Sequence, residues 1–298
     1  MKLGLIGLGK MGMNLALNMQ DNGHTPVGYD LDDANLATAT SYGLTIATSI
    51  DALVQQLPSP HVIWIMVPAG KATNSVITQL ATTLSAGDVV LDGGNSFYQD
   101  SIQHGQQLAD QQIHFLDVGT SGGQAGARHN GNFMVGGERA TFKLVEPLFK
   151  AIAAPDGYLY TGPVGSGHYL KMVHNGIEYG MMAAIGEGFD VLQHSQFNYD
   201  NAAVAKVWNN GSVIRSWLMA LAQDAFSNDD NLDQIKGIMH TSGEGRWTLD
   251  TALDQQVATP VIAMALMMRY RSMTDDTFTG KVVAALRNEF GGHAVEHQ

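Results

Sequence analysis

Four side chains in one short stretch have the types and spacing needed to grip a polar substrate and move protons on it. They are Lys171, His174, Asn175 and Glu178, in the run Lys171-Met-Val-His174-Asn175-Gly-Ile-Glu178-Tyr179. On a helix turning about 100° per residue they fall at roughly 0°, 300°, 40° and 340°, inside a wedge of about 100°. A cation and a carboxylate two turns apart can act as base and acid on opposite ends of a substrate. An ordinary solvated helix face has a similar pattern. Against that reading stand the histidine and asparagine inside the wedge, the Gly-rich flanks, and a nucleotide fingerprint upstream.

The fingerprint is Gly7-Leu8-Gly9-Lys10-Met11-Gly12, a G-x-G-x-x-G between an apolar run and an amphipathic one. In that context the first glycine allows a tight turn and the second lets backbone approach a pyrophosphate. The third permits close helix–sheet packing, and the helix N-terminus offers N–H groups to the phosphates. Asp30 follows 18 residues after Gly12, near the offset of about 20 at which a carboxylate takes the ribose hydroxyls of NAD. A carboxylate there repels the 2′-phosphate of NADP, so NAD is the expected cofactor. A helix cap is the alternative role for this acid, one that Asp32 and Asp33 can also fill. Further loops follow strand candidates, where ligand crevices of such sheets form. They are Asp92-Gly93-Gly94-Asn95-Ser96 and Thr120-Ser121-Gly122-Gly123. Taken singly, each also reads as a plain turn.

The elements that must carry these groups alternate. Strands are expected at Lys2–Ile6, Thr25–Asp30, Val62–Val67, Val89–Asp92, His114–Val118 and Asn132–Val135. Helices are expected between them at Met11–Asp21, Leu31–Thr38, Ala72–Leu84, Gln99–Asp110 and Arg139–Ala151. This order implies right-handed crossovers and an α/β, doubly wound, mostly parallel sheet of Rossmann type over residues 1–162. From residue 163 to 298 strand signals nearly vanish. The pattern predicts helices at His168–His194, Asn201–Trp208, Gly211–Ala225, Asp233–Ile238, Leu249–Leu253, Val261–Met273 and Thr279–Glu289. Val261–Met268 is apolar on every side, as in a helix buried in a core or a subunit interface. Trp208, Trp217 and Trp247 read as packing anchors.

Composition narrows the classes. The 298 residues carry a net charge of −12, 15% charged residues and no cysteine. That excludes disulfides and thiol chemistry, and it disfavours nucleic-acid binding, which needs clustered cations. No run reaches the ~20 apolar residues of a membrane helix, and a cytoplasmic location is expected. The eleven histidines show no metal-ligand spacing, so no metal is expected.

The ordered motifs GLGKMG, DGGNS, GTSGGQAGAR, KMVHNGIEYG, SGEGRWT and RNEFGGH resemble decarboxylating 6-phosphogluconate dehydrogenase, in the short form with one helical unit. Related β-hydroxyacid dehydrogenases share the fold and the Ser-Gly-Gly loop but lack the His-Asn-Gly-Ile-Glu-Tyr segment. The resemblance implies NAD-linked oxidation of 6-phosphogluconate at C3 and loss of CO₂ to give ribulose 5-phosphate, a reaction of the pentose phosphate pathway and of gluconate use. It makes Lys171 the base at the C3 hydroxyl and Glu178 the acid that protonates C1 of the enediol. Asn95, Ser121, Gly122, Gly123, His174 and Asn175 would hold the sugar acid, and Tyr179, Arg269, Arg287 and His293 its phosphate. The cofactor side would comprise Gly7, Leu8, Gly9, Lys10, Met11, Gly12, Asp30, Val67, Pro68, Ala69 and Asn95. It also implies a homodimer, or a dimer of dimers, whose C-terminal tails complete the partner's sites.

Two departures mark this chain. Longer members carry Lys-Gly-Thr-Gly-Lys-Trp-Thr where Ser242-Gly243-Glu244-Gly245-Arg246-Trp247-Thr248 stands here, so Ser242 and Glu244 are not assigned to the phosphate. NADP-using members carry Asn-Arg-Thr where this chain has Tyr29-Asp30-Leu31. Two other readings stay open: an NAD-dependent dehydrogenase of an unphosphorylated β-hydroxy acid, and a nucleotide-sensing protein without turnover. Arg269, Arg287 and the full Lys171–Glu178 set weigh against both.

Overall fold

The computed structural model describes residues 1–291 and 294–296. Two compact units divide it, residues 1–174 and 175–298. In the first, β1 (Lys2–Ile6) is buried from Leu3 onward and leads through the glycine loop into α1 (Lys10–Asp21). The alternation continues through β2 (Thr25–Tyr29), α2 (Asp33–Ser41), β3 (Thr45–Ile46), α3 (Ile50–Gln55), β4 (Val62–Ile65), α4 (Lys71–Thr83), β5 (Val89–Asp92) and α5 (Tyr98–Ala109). It ends with β6 (His114–Ser121), α6 (Gly123–His129), β7 (Gly131–Gly137), α7 (Arg139–Ile152) and β8 (Ala153–Gly162).

The eight strands form one sheet in the order β3-β2-β1-β4-β5-β6-β7-β8, parallel except where β6 meets β7. Chain order reverses between β1 and β4, and the glycine loop leaves β1 at that switch point. Buried strands contribute apolar side chains to both faces, so the unit has two cores. On one face α1 and α7 pack through Leu15, Met19, Val145 and Phe149 around Trp64, whose ring meets Phe149 at 5.4 Å and Phe133 at 5.8 Å. On the other, α3, α4 and α5 bring Leu53, Ile77, Leu80 and Leu108 against Ile63, Ile65, Val90 and Phe115.

The second unit is helical. It takes the later turns of α8 (Ser166–Gln193), then α9 (Asn201–Asn209), α10 (Trp217–Asn228), α11 (Glu244–Asp254), α12 (Pro260–Ser272) and α13 (Phe278–Gly291). Phe189 on α8 packs with Ala205, Met219 and Phe226 of α9 and α10. Tyr179, closer to the start of α8, packs with Ala265 and Leu266 of α12. Among the described residues no helix is long and apolar enough to cross a membrane.

Several elements differ from the sequence expectation. β3, α3, α6 and β8 were not anticipated: β3 has two residues, α3 has six, and α6 is built on a glycine-rich run. α2 starts at Asp33 rather than Leu31, because the Asp32 carboxylate accepts the Ala34 N–H and caps it. Residues 233–238 form a turn and a bend followed by irregular chain, not a helix. The segment is too short to sustain one without a buried face, and Ile235 and Ile238 are exposed. α10 begins at Trp217, capped by Ser216, and Trp217 is exposed rather than a packing anchor. α12 buries Ala265 and Leu266 while Val261, Met264 and Met267 stay exposed on the single chain, so only one side of it lies in a core.

One buried polar pair gives this fold a pH signature. His104 on α5 bonds through Nε2 to Asn74 Oδ1 on α4 at 2.8 Å, while its Nδ1 is buried without a partner. Burial lowers the pKa of the ring, outweighing the opposing pull of Asp92 and Asp100. A lowered folded-state value means the unfolded chain takes up this proton first. Stability from this site is therefore complete above the unfolded value of about 6.5 and declines as pH falls below it. Urea unfolding from pH 7.5 to 5 should show that decline, and His104→Gln should flatten it.

Candidate active site

The glycine loop is shaped by its own backbone at two of its three glycines. Gly7 has φ +97°, and a Cβ on it would lie 2.6 Å from the Met66 carbonyl. A Cβ on Gly12 would run into the Gly7 carbonyl oxygen, so α1 can start this close to β1 only with glycine there. Gly9 differs. Its φ of −63° suits any residue, and a Cβ there would meet nothing within 4 Å. The fold has no internal need of a glycine at that point, whereas a ligand approaching the N-terminus of α1 does. Lys10 is exposed and Met11 half-buried beside it, while Leu8 is buried.

Asp30 follows the end of β2. The Leu8 N–H donates to its Oδ2 at 2.6 Å and the Asp32 N–H to its Oδ1 at 2.8 Å. The carboxylate is thus tied to the glycine loop, while the side chain that caps α2 is that of Asp32. Val67, Pro68 and Ala69 follow β4, with Pro68 and Ala69 exposed.

β6 and α8 carry the next part of the site. Successive residues of a strand alternate faces, so Asp117, Gly119 and Ser121 share one face of β6. Each meets α8 about one turn further along. Asp117 Oδ2 accepts the His168 N–H at 2.8 Å, and its Oδ1 accepts the Gly165 N–H at 2.7 Å. A Cβ on Gly119 would lie 2.5 Å from Lys171 Cβ. Ser121 Oγ stands 3.3 Å from His174 Nε2. Lys171 is only 8% exposed. Gly122, at φ +100°, ends the strand, and Gly123 opens α6. After β5, buried Asp92 accepts the Ser96 hydroxyl at 2.7 Å and the Gly94 N–H at 3.1 Å, a turn that leaves Asn95 exposed.

α8 continues unbroken through Asn175, Glu178 and Tyr179, so the helical spacing read from the sequence holds. In the second unit Tyr179 is buried, with the Arg269 guanidinium 3.6 Å from its ring centroid. Its hydroxyl accepts the Ser242 N–H at 3.3 Å. Arg269 also donates to the His240 carbonyl at 2.7 Å. The Ser242 hydroxyl donates to Glu244 Oε2 at 2.6 Å, and Glu244 Oε1 is buried without a partner. Ser242 and Glu244 thus close on each other. Arg287 is exposed on α13, and His293 lies outside the described residues. Among the described residues no cluster of His, Asp and Glu could hold a metal ion.

Comparison with known proteins decides the family. Residues 2–166 match the model of the NAD binding domain of 6-phosphogluconate dehydrogenase, and residues 167–289 match that of its C-terminal domain. The chain belongs to the 6-phosphogluconate dehydrogenase family. It is 58% identical over 296 residues to a Bacillus subtilis protein named "Putative 6-phosphogluconate dehydrogenase YqeC", covering 99% of each chain. It is 41% identical to the NAD(+)-dependent, decarboxylating 6-phosphogluconate dehydrogenase of Haloferax volcanii, covering 99% of this chain and 98% of that one. The solved Plasmodium falciparum 6-phosphogluconate dehydrogenase superposes with a TM-score of 0.83 at 28% identity, over all of this chain and 66% of that one.

Sequence reasoning missed two residues of this 6-phosphogluconate dehydrogenase family member, Asp92 and Asp117, as organisers of its loops. The available signal was a carboxylate in a strand otherwise headed for burial, which requires hydrogen-bond donors waiting for it. The glycine loop itself is directly testable. Gly9→Ala should leave the urea midpoint nearly unchanged, within about 0.5 kcal/mol, yet weaken NAD binding in calorimetric titration at least tenfold. Gly12→Ala should destabilise the fold by about 1–3 kcal/mol through overpacking.

Proposed function

We propose that this chain is a decarboxylating 6-phosphogluconate dehydrogenase that prefers NAD, acting as a homodimer or a dimer of dimers. The observation that carries the reading is Lys171, buried against Gly119 at the carboxyl end of β6, with Ser121 and His174 paired one turn further on. Gly7, Leu8, Gly9, Lys10, Met11 and Gly12 would hold the pyrophosphate, Asp30 the ribose hydroxyls, and Val67, Pro68, Ala69 and Asn95 the rest of the cofactor. Bound NAD⁺ supplies the hydride acceptor for C3 of the substrate.

Lys171 takes the proton of the C3 hydroxyl. It must be neutral to do so. The same amine returns a proton toward the C3 oxygen as CO₂ departs from the β-keto acid. Glu178, two turns along α8, delivers a proton to C1 of the enediol. Asn95, Ser121, Gly122, Gly123, His174 and Asn175 hold the sugar acid, and Tyr179 and Arg269 its phosphate. An anionic substrate entering a chain of charge −12 needs such local cations. Arg287 and His293, from the partner's tail, would add two more donors to the phosphate. The exposed apolar side of α12 supports association of copies, since such patches mark interaction surfaces.

Release of CO₂ from 6-phosphogluconate with NAD should far exceed that from unphosphorylated gluconate; the reverse would make the chain a β-hydroxy acid dehydrogenase, and no turnover of either a binding protein. Lys171→Met should lower kcat at least ~10²-fold with NAD affinity intact. Asp30→Asn should narrow the preference for NAD over NADP by roughly tenfold, about 1.4 kcal/mol.

Deleting residues 287–298 should raise the substrate KM severely and leave NAD binding unchanged. Mixing that truncated chain with full-length Lys171→Met should restore activity through hybrid dimers. Hybrids that form without activity would refute sharing of the tail.

A further inference from the structure

Asp117 has no role in the sugar-acid site just described, yet it is fully buried in the middle of β6 with a carboxylate satisfied entirely by the start of α8. Helix N-termini are ordinarily capped by a side chain of the residue just before them. Here that residue is Gly165, at φ +92°, and the acceptor comes from a strand 48 residues earlier. The surroundings leave this carboxylate little freedom. A Cβ on Gly136 would strike Asp117 Oδ1, and one on Gly167 would strike the Met134 carbonyl. β6 and α8 run in the same direction, and the contacts step together from Asp117–His168 to Gly119–Lys171 to Ser121–His174. Two strand residues advance about 6.6 Å and three helical residues about 4.5 Å, so the match holds only over these few steps and depends on where it begins.

We propose that Asp117 is a positioning residue. By fixing where α8 starts along β6, it sets the depth at which the Lys171 amine enters the ligand crevice. This assignment rests on the reaction proposed for Lys171. Asp117→Asn exchanges one of the two acceptor oxygens for a donor that faces an N–H, so the helix start shifts or frays while the strand keeps an isosteric side chain.

The test compares Asp117→Asn with Ser101→Ala, which removes a neighbouring buried hydrogen bond, Ser101 Oγ to His168 Nδ1 at 2.7 Å, and leaves the cap intact. Asp117→Asn should lower kcat on 6-phosphogluconate at least tenfold and raise the isotope effect on kcat with substrate deuterated at C3. The dissociation constant for NAD should stay within twofold. Ser101→Ala should lower the melting temperature with kcat within twofold of wild type. A folded Asp117→Asn that loses melting temperature but keeps wild-type kcat and isotope effect would overturn the proposal. If Asp117→Asn does not fold, Asp117→Ser, whose hydroxyl is too short to cap both N–H groups, takes its place: a tenfold loss of kcat with NAD affinity kept supports the proposal, and wild-type kcat overturns it. Amide hydrogen exchange at Gly165 and His168–Lys171 is read independently of turnover. It should accelerate at least tenfold in Asp117→Asn and not in Ser101→Ala, and equal exchange in both overturns the proposal. Absence of turnover by the wild-type enzyme would refute the reaction and leave the exchange result to judge the positioning.

Discussion

The distance between α8 and β6 is the constraint on which the candidate site of this molecule depends. A helix ordinarily rests on a sheet through a layer of side chains, and here much of that layer is missing. Gly119, Gly136 and Gly167 bring backbone against backbone, leaving room for little more than the stem of Lys171. The absent side chains forfeit apolar burial, on the order of 25 cal/mol per Å². Charge-assisted hydrogen bonds donated by two backbone N–H groups to the Asp117 carboxylate offset part of that loss, at about 1.5–3 kcal/mol each. The lysine is thereby held against an interior strand of the sheet whose middle residues are buried.

The division into compact units reflects the same packing. The boundary falls after His174, inside α8, because the first turns of that helix are locked to β6 and belong with the sheet. Sequence patterning had placed the change of character at residue 163, where strand signals stop. Periodicity reports the type of an element and is silent on which neighbours it packs against.

Much of the architecture was legible because long elements repeat their pattern. β1, β5, α1 and α7 fall within a residue or so of the expected limits, since buried strands are continuously apolar and these helices carry clear apolar stripes. The short elements were not legible. Two residues of β3 cannot show an alternation, and α6 is made of Gly-Gln-Ala-Gly-Ala-Arg-His, whose glycines read as a turn. β8 hides behind Pro155, Asp156 and Gly157, which look like loop chemistry. In the site, the placement of Asp30 just after β2 and the Lys171–Glu178 spacing on one helix were readable because they follow from offset and angle. The hydrogen bonds of Asp117 were not, because their donors lie 48 and 51 residues further on, and the local turn that Asp92 makes with Gly94 and Ser96 was not because the acid closes a run of buried apolar residues. The mutual closure of Ser242 and Glu244 was also invisible, since it needs the turn at Gly243, φ +101°.

The two ends of the sheet carry a consequence of their own. An eight-stranded sheet exposes two edges, and a flat, regular edge invites another copy to add a strand. Neither edge of this one is flat and regular. β3 ends one side after two residues, too few to template a neighbour. β8 ends the other with a proline, a residue at φ +57° in Asp156, and two shifts of register against β7. A strand added by another copy would need just those backbone donors in line, so the irregularities that hid β8 from pattern reading also make this edge a poor template for one.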